Sequence, residues 1–140
     1  MRPEVWGNHF WNTINAIALS YPDKPDIHDQ QNVTAFITSL KDVLPCEQCR
    51  VHFKQNLEKF PLSQALTSRE NFIKWVIDVR NSVNKMNGKR TLSYKEGKYQ
   101  MKKNLYGNGL TKYHIMSSMV VGIIACWYLR NTKFFKKLLK

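Results

Sequence analysis

Residues 67–88 read TSRENFIKWVIDVRNSVNKMNG. Within them Phe72, Val76, Val79, Val83 and Met86 follow one another at steps of four, three, four and three. That spacing lines one side of an α-helix, which turns once in about 3.6 residues. Thr67 or Ser68 can cap its start, and Thr67 with Glu70 has the capping-box spacing. Asn87-Gly88 ends it, because glycine accepts the left-handed backbone that closes helices. A helix with one apolar side needs neighbours to cover that side.

Those neighbours lie upstream. Phe10, Ile14, Ile17 and Tyr21 recur at helical steps until Pro22. Val33, Phe36, Ile37, Leu40, Val43 and Leu44 make a second stripe closed by Pro45. A third segment, about Cys46–Phe60, runs between Pro45 and Pro61. No alternating strand pattern of useful length is present, and no segment repeats. The expected fold is therefore all-α: a four-helix bundle, with a short helix around Ser93–Leu105.

The chain has 140 residues, enough for one ordinary domain. Hydrophobic residues make 43% and charged residues 23%, a globular composition that excludes wholesale disorder. Three cysteines exclude a small scaffold stapled by several disulfides. The net charge of +12 suggests nucleic acid until it is divided. Residues 1–88 hold 10 Lys/Arg against 9 Asp/Glu, whereas residues 89–140 hold 12 against 1. The bundle is nearly neutral, and nucleic acid is not an expected partner of it.

Nothing at the start resembles a signal peptide. Residues 113–129, YHIMSSMVVGIIACWYL, carry no formal charge, and Lys112 and Arg130 bracket them. As a helix they would span roughly 26 Å, the lower edge of a bilayer core. The expectation is a membrane-spanning helix after a basic linker, 96–112, and before a basic tail, 130–140. The alternative is a buried core helix. By the positive-inside rule the tail would be cytosolic, whereas the missing signal peptide favours a cytosolic catalytic domain. Both cannot hold for one span.

The chemistry concentrates in Pro45-Cys46-Glu47-Gln48-Cys49. Two cysteines three apart at a helix start share a face and can form a disulfide with little backbone change. The helix start favours a thiolate, most strongly at the first cysteine, and a thiol of lowered pKa suits reversible disulfide exchange. Two other readings fit the spacing. The pair is half of a zinc site, with His52 as a third ligand, or it is a purely structural disulfide. No strand precedes Cys46, so a thioredoxin-type setting is absent. No metal site is expected.

Four motifs occur in order: Trp6-Gly7-Asn8-His9-Phe10-Trp11; Tyr21-Pro22; Leu44-Pro45-Cys46-Glu47-Gln48-Cys49-Arg50-Val51-His52-Phe53; and Asn81-Ser82-Val83-Asn84-Lys85-Met86-Asn87-Gly88-Lys89. Over about residues 4–95 the chain resembles the Erv/ALR family of FAD-dependent sulfhydryl oxidases, most closely the compact members of large DNA viruses. The resemblance implies an oxidase domain over 1–95, a bundle of four helices with a short fifth that holds FAD, and a homodimer. It implies Cys46 as the cysteine that exchanges with substrate and Cys49 as the one facing the flavin. Electrons would pass from a thioredoxin-like or C-x-x-C protein dithiol to FAD and then to molecular oxygen, giving hydrogen peroxide. The implied cofactor-binding set is Gly7, Trp11, Asn15, Tyr21, His52, Arg80, Asn81, Asn84 and Lys89. Trp11 and Tyr21 would pack the cofactor from the first helix. Asn81 and Asn84 would hydrogen-bond it, and Lys89 would lie near its phosphates.

The chain departs from the family in places. Asn15 and Arg80 stand where many members have His. Ile77 and Tyr94 stand where several have a second disulfide, so an apolar contact is expected there. Cys126 is alone on the apolar stretch and is expected to be a small buried hydrophobe. The rival function is a non-catalytic, membrane-tethered adaptor whose basic tail binds anionic lipid or nucleic acid.

Overall fold

Pro3 starts the first helix, where its missing N–H has no helical partner to lose. A computed structural model describes residues 1–107 and 117–128. In chain order the helices are α1 (Pro3–Ser20), α2 (Ile27–Val43), α3 (Glu47–Lys59), α4 (Leu62–Ala65), α5 (Arg69–Met86) and α6 (Tyr94–Tyr106). A further helix covers 117–128. Residues Met1–Leu105 form one compact unit and Tyr106–Lys140 a second.

The four long helices expected from the sequence are α1, α2, α3 and α5. In the first unit α5 is central: it lies along α1 and touches α3 and α4, and α2 packs on α3. Its residues Phe72, Ile73, Trp75, Val76, Ile77 and Val79 are buried, with Ile14 and Ala18 of α1, Ile37 and Leu40 of α2, and Phe53 of α3 around them. Two polar groups of the core are paired across elements. The Tyr21 hydroxyl donates to the Leu66 carbonyl at 3.0 Å, and the Trp75 indole N–H to the Phe60 carbonyl at 2.8 Å.

The punctuation works with two changes. Ser68, not Thr67, caps α5, accepting the Asn71 N–H at 3.2 Å. Glu70 instead binds the Tyr94 hydroxyl and Lys98 of α6. At the far end Gly88 has φ +65°, and the Gly88 and Lys89 N–H groups return to the carbonyls of Lys85 and Asn84. The apolar stripe of α2 is narrower than expected: Phe36 is 38% and Val43 64% exposed. Residues 33, 37, 40 and 44 make the inward row, and 36 and 43 sit on its rim.

Two further expectations are corrected. Among the described residues no helix is long and apolar enough to cross a membrane. Residues 113–116 and 129 of the expected span, and the tail 130–140, lie outside the described residues. The expected single-pass anchor loses its basis, and with it the membrane as a partner and the membrane-anchored localisation. Cys126, expected to be buried, is exposed.

Candidate active site

The site forms where α3 begins. Pro45 interrupts the chain after α2, and Cys46 takes the N-cap of α3 with extended backbone rather than a place within the first turn. Its sulfur accepts the Cys49 N–H at 3.2 Å. Cys46 and Cys49 are joined by a disulfide with their Cα atoms 5.1 Å apart. The preceding carbonyls are held by positive groups. Arg50 Nη1 donates to the Leu44 carbonyl at 2.7 Å, and the Met1 amino group donates to the Pro45 carbonyl at 2.9 Å.

Both cysteines open onto a cavity of about 320 Å³ between α1, α3 and α5. Trp6, Gly7, Phe10 and Trp11 of α1 face His52 and Phe53 of α3 across it, with Val83 and Met86 of α5 behind. Trp6 and Phe10 meet edge to face at 5.6 Å, as do Phe10 and Trp11 at 5.7 Å. The Trp6 indole N–H is buried and has no partner in the protein. A buried donor without an acceptor is costly. Aromatic walls with one unmatched donor suit a flat heteroaromatic ring carrying acceptors on its edge, and the isoalloxazine of FAD is such a ring.

Next to Trp11 the Arg80 guanidinium lies 5.5 Å from the ring centroid. Burial lowers its pKa from the ordinary value. Arg80 also faces Asn8, Asn12 and Asn104 across a second cavity of about 350 Å³. One turn beyond Trp11, Asn15 is fully buried, and neither end of its amide has a partner.

The other expected site residues are placed differently. Tyr21 is in the core, where burial and the nearby carboxylates of Asp29 and Asp26 raise its pKa. Asn81 pairs reciprocally with Leu92, donating to its carbonyl and accepting its N–H, both at 2.8 Å. Asn84 donates to the Arg90 carbonyl at 3.3 Å. These two amides clamp the segment between α5 and α6. Lys89 is exposed, and its N–H closes the end of α5. The cavity thus gathers Gly7, Trp11 and His52 with the cysteines, Arg80 flanks it, and Asn81 and Asn84 hold the adjoining loop. Trp6 was missed as a site residue, although its place one turn before Phe10 beside Gly7 was a usable signal. Among the described residues no group of three or more His, Cys, Asp or Glu is arranged to hold a metal.

A disulfide at a helix start against an aromatic cavity, in a bundle of four long helices, has the arrangement of a thiol–disulfide redox domain. The Erv1 / Alr family matches residues 8–104 of the chain. A protein of Acanthamoeba polyphaga mimivirus named as a FAD-linked sulfhydryl oxidase is 39% identical over 115 residues, covering 81% of this chain and 80% of its own. The FAD-linked sulfhydryl oxidase of an African swine fever virus isolate is 31% identical, over 76% of this chain and 84% of its own. The crystal structure of the FAD-binding domain of Erv1 from Saccharomyces cerevisiae superposes with a TM-score of 0.68 at 23% identity, covering 74% of this chain and 97% of that one. The chain belongs to the Erv1 / Alr family.

Proposed function

We propose that this chain is a FAD-linked sulfhydryl oxidase that makes disulfides in protein dithiols. The observation that carries the reading is the Cys46–Cys49 disulfide on the wall of the aromatic cavity containing Trp6 and Trp11. Trp6, Trp11, Phe10 and Phe53 would hold the flavin ring of FAD, with the Trp6 N–H on one of its acceptors. Arg80 has a guanidinium suited to the adenine face or the phosphates. FAD held there would supply the two-electron chemistry that no side chain performs, linking the reduced cysteine pair to oxygen with hydrogen peroxide as product.

The protein's own part is disulfide exchange. A substrate thiolate attacks Cys46 Sγ; the substrate–Cys46 bond forms, the Cys46–Cys49 bond breaks, and its electron pair remains on Cys49. The second substrate thiolate then attacks the substrate sulfur of the mixed disulfide. The substrate disulfide forms, the electron pair departs on Cys46, and two thiol protons go to solvent. Cys46 is the sulfur that meets substrate because it sits at the N-cap, ahead of the first turn of α3, with Cys49 one turn further along. The substrate is a thioredoxin-like or C-x-x-C protein, and the active form is a homodimer.

Purified protein should be yellow, release FAD on denaturation, and consume oxygen when a dithiol is added. Folded, helical protein that stays colourless after incubation with FAD would remove the assignment.

A further inference from the structure

Arg50 makes a contact that the exchange chemistry above leaves unused. Its N–H bonds the Cys46 carbonyl one helical turn back, at 3.0 Å. Its guanidinium then reaches further back, past Cys46, to the Leu44 carbonyl. The side chain is half-buried, no carboxylate pairs with it among the described residues, and its backbone lies beside Cys49. Its Nη1 is thereby held at the carbonyl two residues ahead of Cys46, on the N-terminal side of the redox pair. It holds Leu44, itself buried on the cavity wall, in place ahead of Pro45.

We propose that Arg50 is a positioning residue for Cys46. It fixes the Leu44–Cys46 turn, and its charge keeps Cys46 Sγ as a thiolate when that sulfur leaves the mixed disulfide. Leaving thiols depart faster when their pKa is lower, and a neighbouring guanidinium lowers a thiol pKa. Other charged groups around the turn are few. α1 and α5 contribute no ionisable side chain to the cavity, and α3 contributes His52. Exposed Glu47 follows Cys46 and opposes the effect, whereas the Met1 amino group on the Pro45 carbonyl adds to it. Arg50 is the permanently charged member of this group.

The proposal rests on Cys46 being the sulfur that meets substrate, and its test is independent of turnover. The full chain with FAD, carrying Cys49→Ser and Cys126→Ser, leaves Cys46 as the one thiol. Its alkylation by iodoacetamide is followed by mass spectrometry between pH 5 and 10 for three forms: Arg50 retained, Arg50→Lys and Arg50→Gln. Gln keeps a donor for the Leu44 carbonyl without the charge. At pH 6 the Gln form should react about threefold to tenfold more slowly, with Lys restoring most of the rate. Equal pH profiles in all three would overturn the proposal, as would Gln matching the parent while Lys does not. Circular dichroism confirms that each variant folds. Should the Gln form not fold, the parent is compared at about 20 mM and 0.5 M salt, where screening should lower its thiolate fraction; an unchanged profile overturns the proposal. A trapped mixed disulfide at Cys49 rather than Cys46 would instead refute the reading on which the proposal rests.

Discussion

Gly97 of α6 is buried against Ile77 of α5, whereas Tyr94, expected to meet Ile77 in an apolar contact, is 38% exposed and gives its hydroxyl to Glu70. A Cβ added at Gly97 would lie 2.9 Å from each of the Ile77 Cδ1, Cγ1 and Cγ2 atoms. On an exposed helix Gly→Ala gains about 1 kcal/mol. Here that gain is opposed by overpacking, which costs about 1–3 kcal/mol. Two of the three atoms are attached directly to the Cβ of Ile77, whose χ1 is nearly fixed in a helix, so the side chain cannot swing clear. Gly97→Ala should therefore destabilise the protein by about 1 kcal/mol net, and α6 should shift off α5. Urea unfolding followed by circular dichroism should show a midpoint lower by about 0.5 M. Ile77→Ala alone should cost about 2–5 kcal/mol. In the double variant the new methyl occupies part of the space, so the two effects should fall short of additive by about 1 kcal/mol. An unchanged or higher midpoint for Gly97→Ala, or strict additivity in the pair, would refute the idea that Ile77 packs α6 against α5 through the space above Gly97.

Trp6→Phe keeps the aromatic wall and removes the unmatched N–H, so FAD should bind about threefold to tenfold more weakly while the apoprotein is as stable as before or more so; flavin fluorescence titration measures this, and unchanged affinity counts against the donor role. Glu96 accepts the Ser93 N–H at 2.9 Å, and the Ser93 hydroxyl accepts the Glu96 N–H at 3.3 Å, which makes a capping box for α6. The Ser93 N–H first, then the Ser93 hydroxyl and the Arg90 guanidinium, hold the Glu96 carboxyl down to about 2, from 4.5. A lowered carboxyl pKa stabilises the fold above the ordinary range and loses that effect as pH falls. The stability difference between the parent and Glu96→Gln should therefore be constant above about pH 5 and disappear as pH approaches 2; a difference independent of pH would contradict the assignment. Cys46→Ser should abolish turnover and leave a Cys49 thiolate facing the flavin, visible as a long-wavelength absorption band. Cys49→Ser should abolish turnover without the band, and finding the band there instead would exchange the two roles.

The long helices were legible because proline and glycine punctuate them and because the row of α1 turns inward throughout, while that of α5 fails only at its last member, exposed Met86. The four-residue α4 was not, since one turn leaves no periodicity to read. In α2 the residues Phe36 and Val43 were read as core, because a sequence stripe does not show how wide a face the neighbours cover. The apolar stretch 113–129 was read as a span on composition alone, which fixes neither the length of a helix nor its neighbours. At the site the cysteine pair was legible from its spacing. The Asn81–Leu92 pairing was not, because an amide's partner eleven residues away across a loop leaves no local mark. The orphaned donor on Trp6 depends on how α1 is rotated against α3, which spacing does not specify.

The central claim is that electrons reach bound FAD through the Cys46–Cys49 pair. It is tested most directly by adding a dithiol to the purified protein without oxygen and following flavin absorbance in the parent and in Cys46→Ser/Cys49→Ser. The account predicts rapid bleaching in the parent, at least about a hundredfold slower bleaching in the double variant with FAD still bound, and recovery of colour with hydrogen peroxide when air is admitted to the parent. Equal bleaching rates in the two proteins would contradict it.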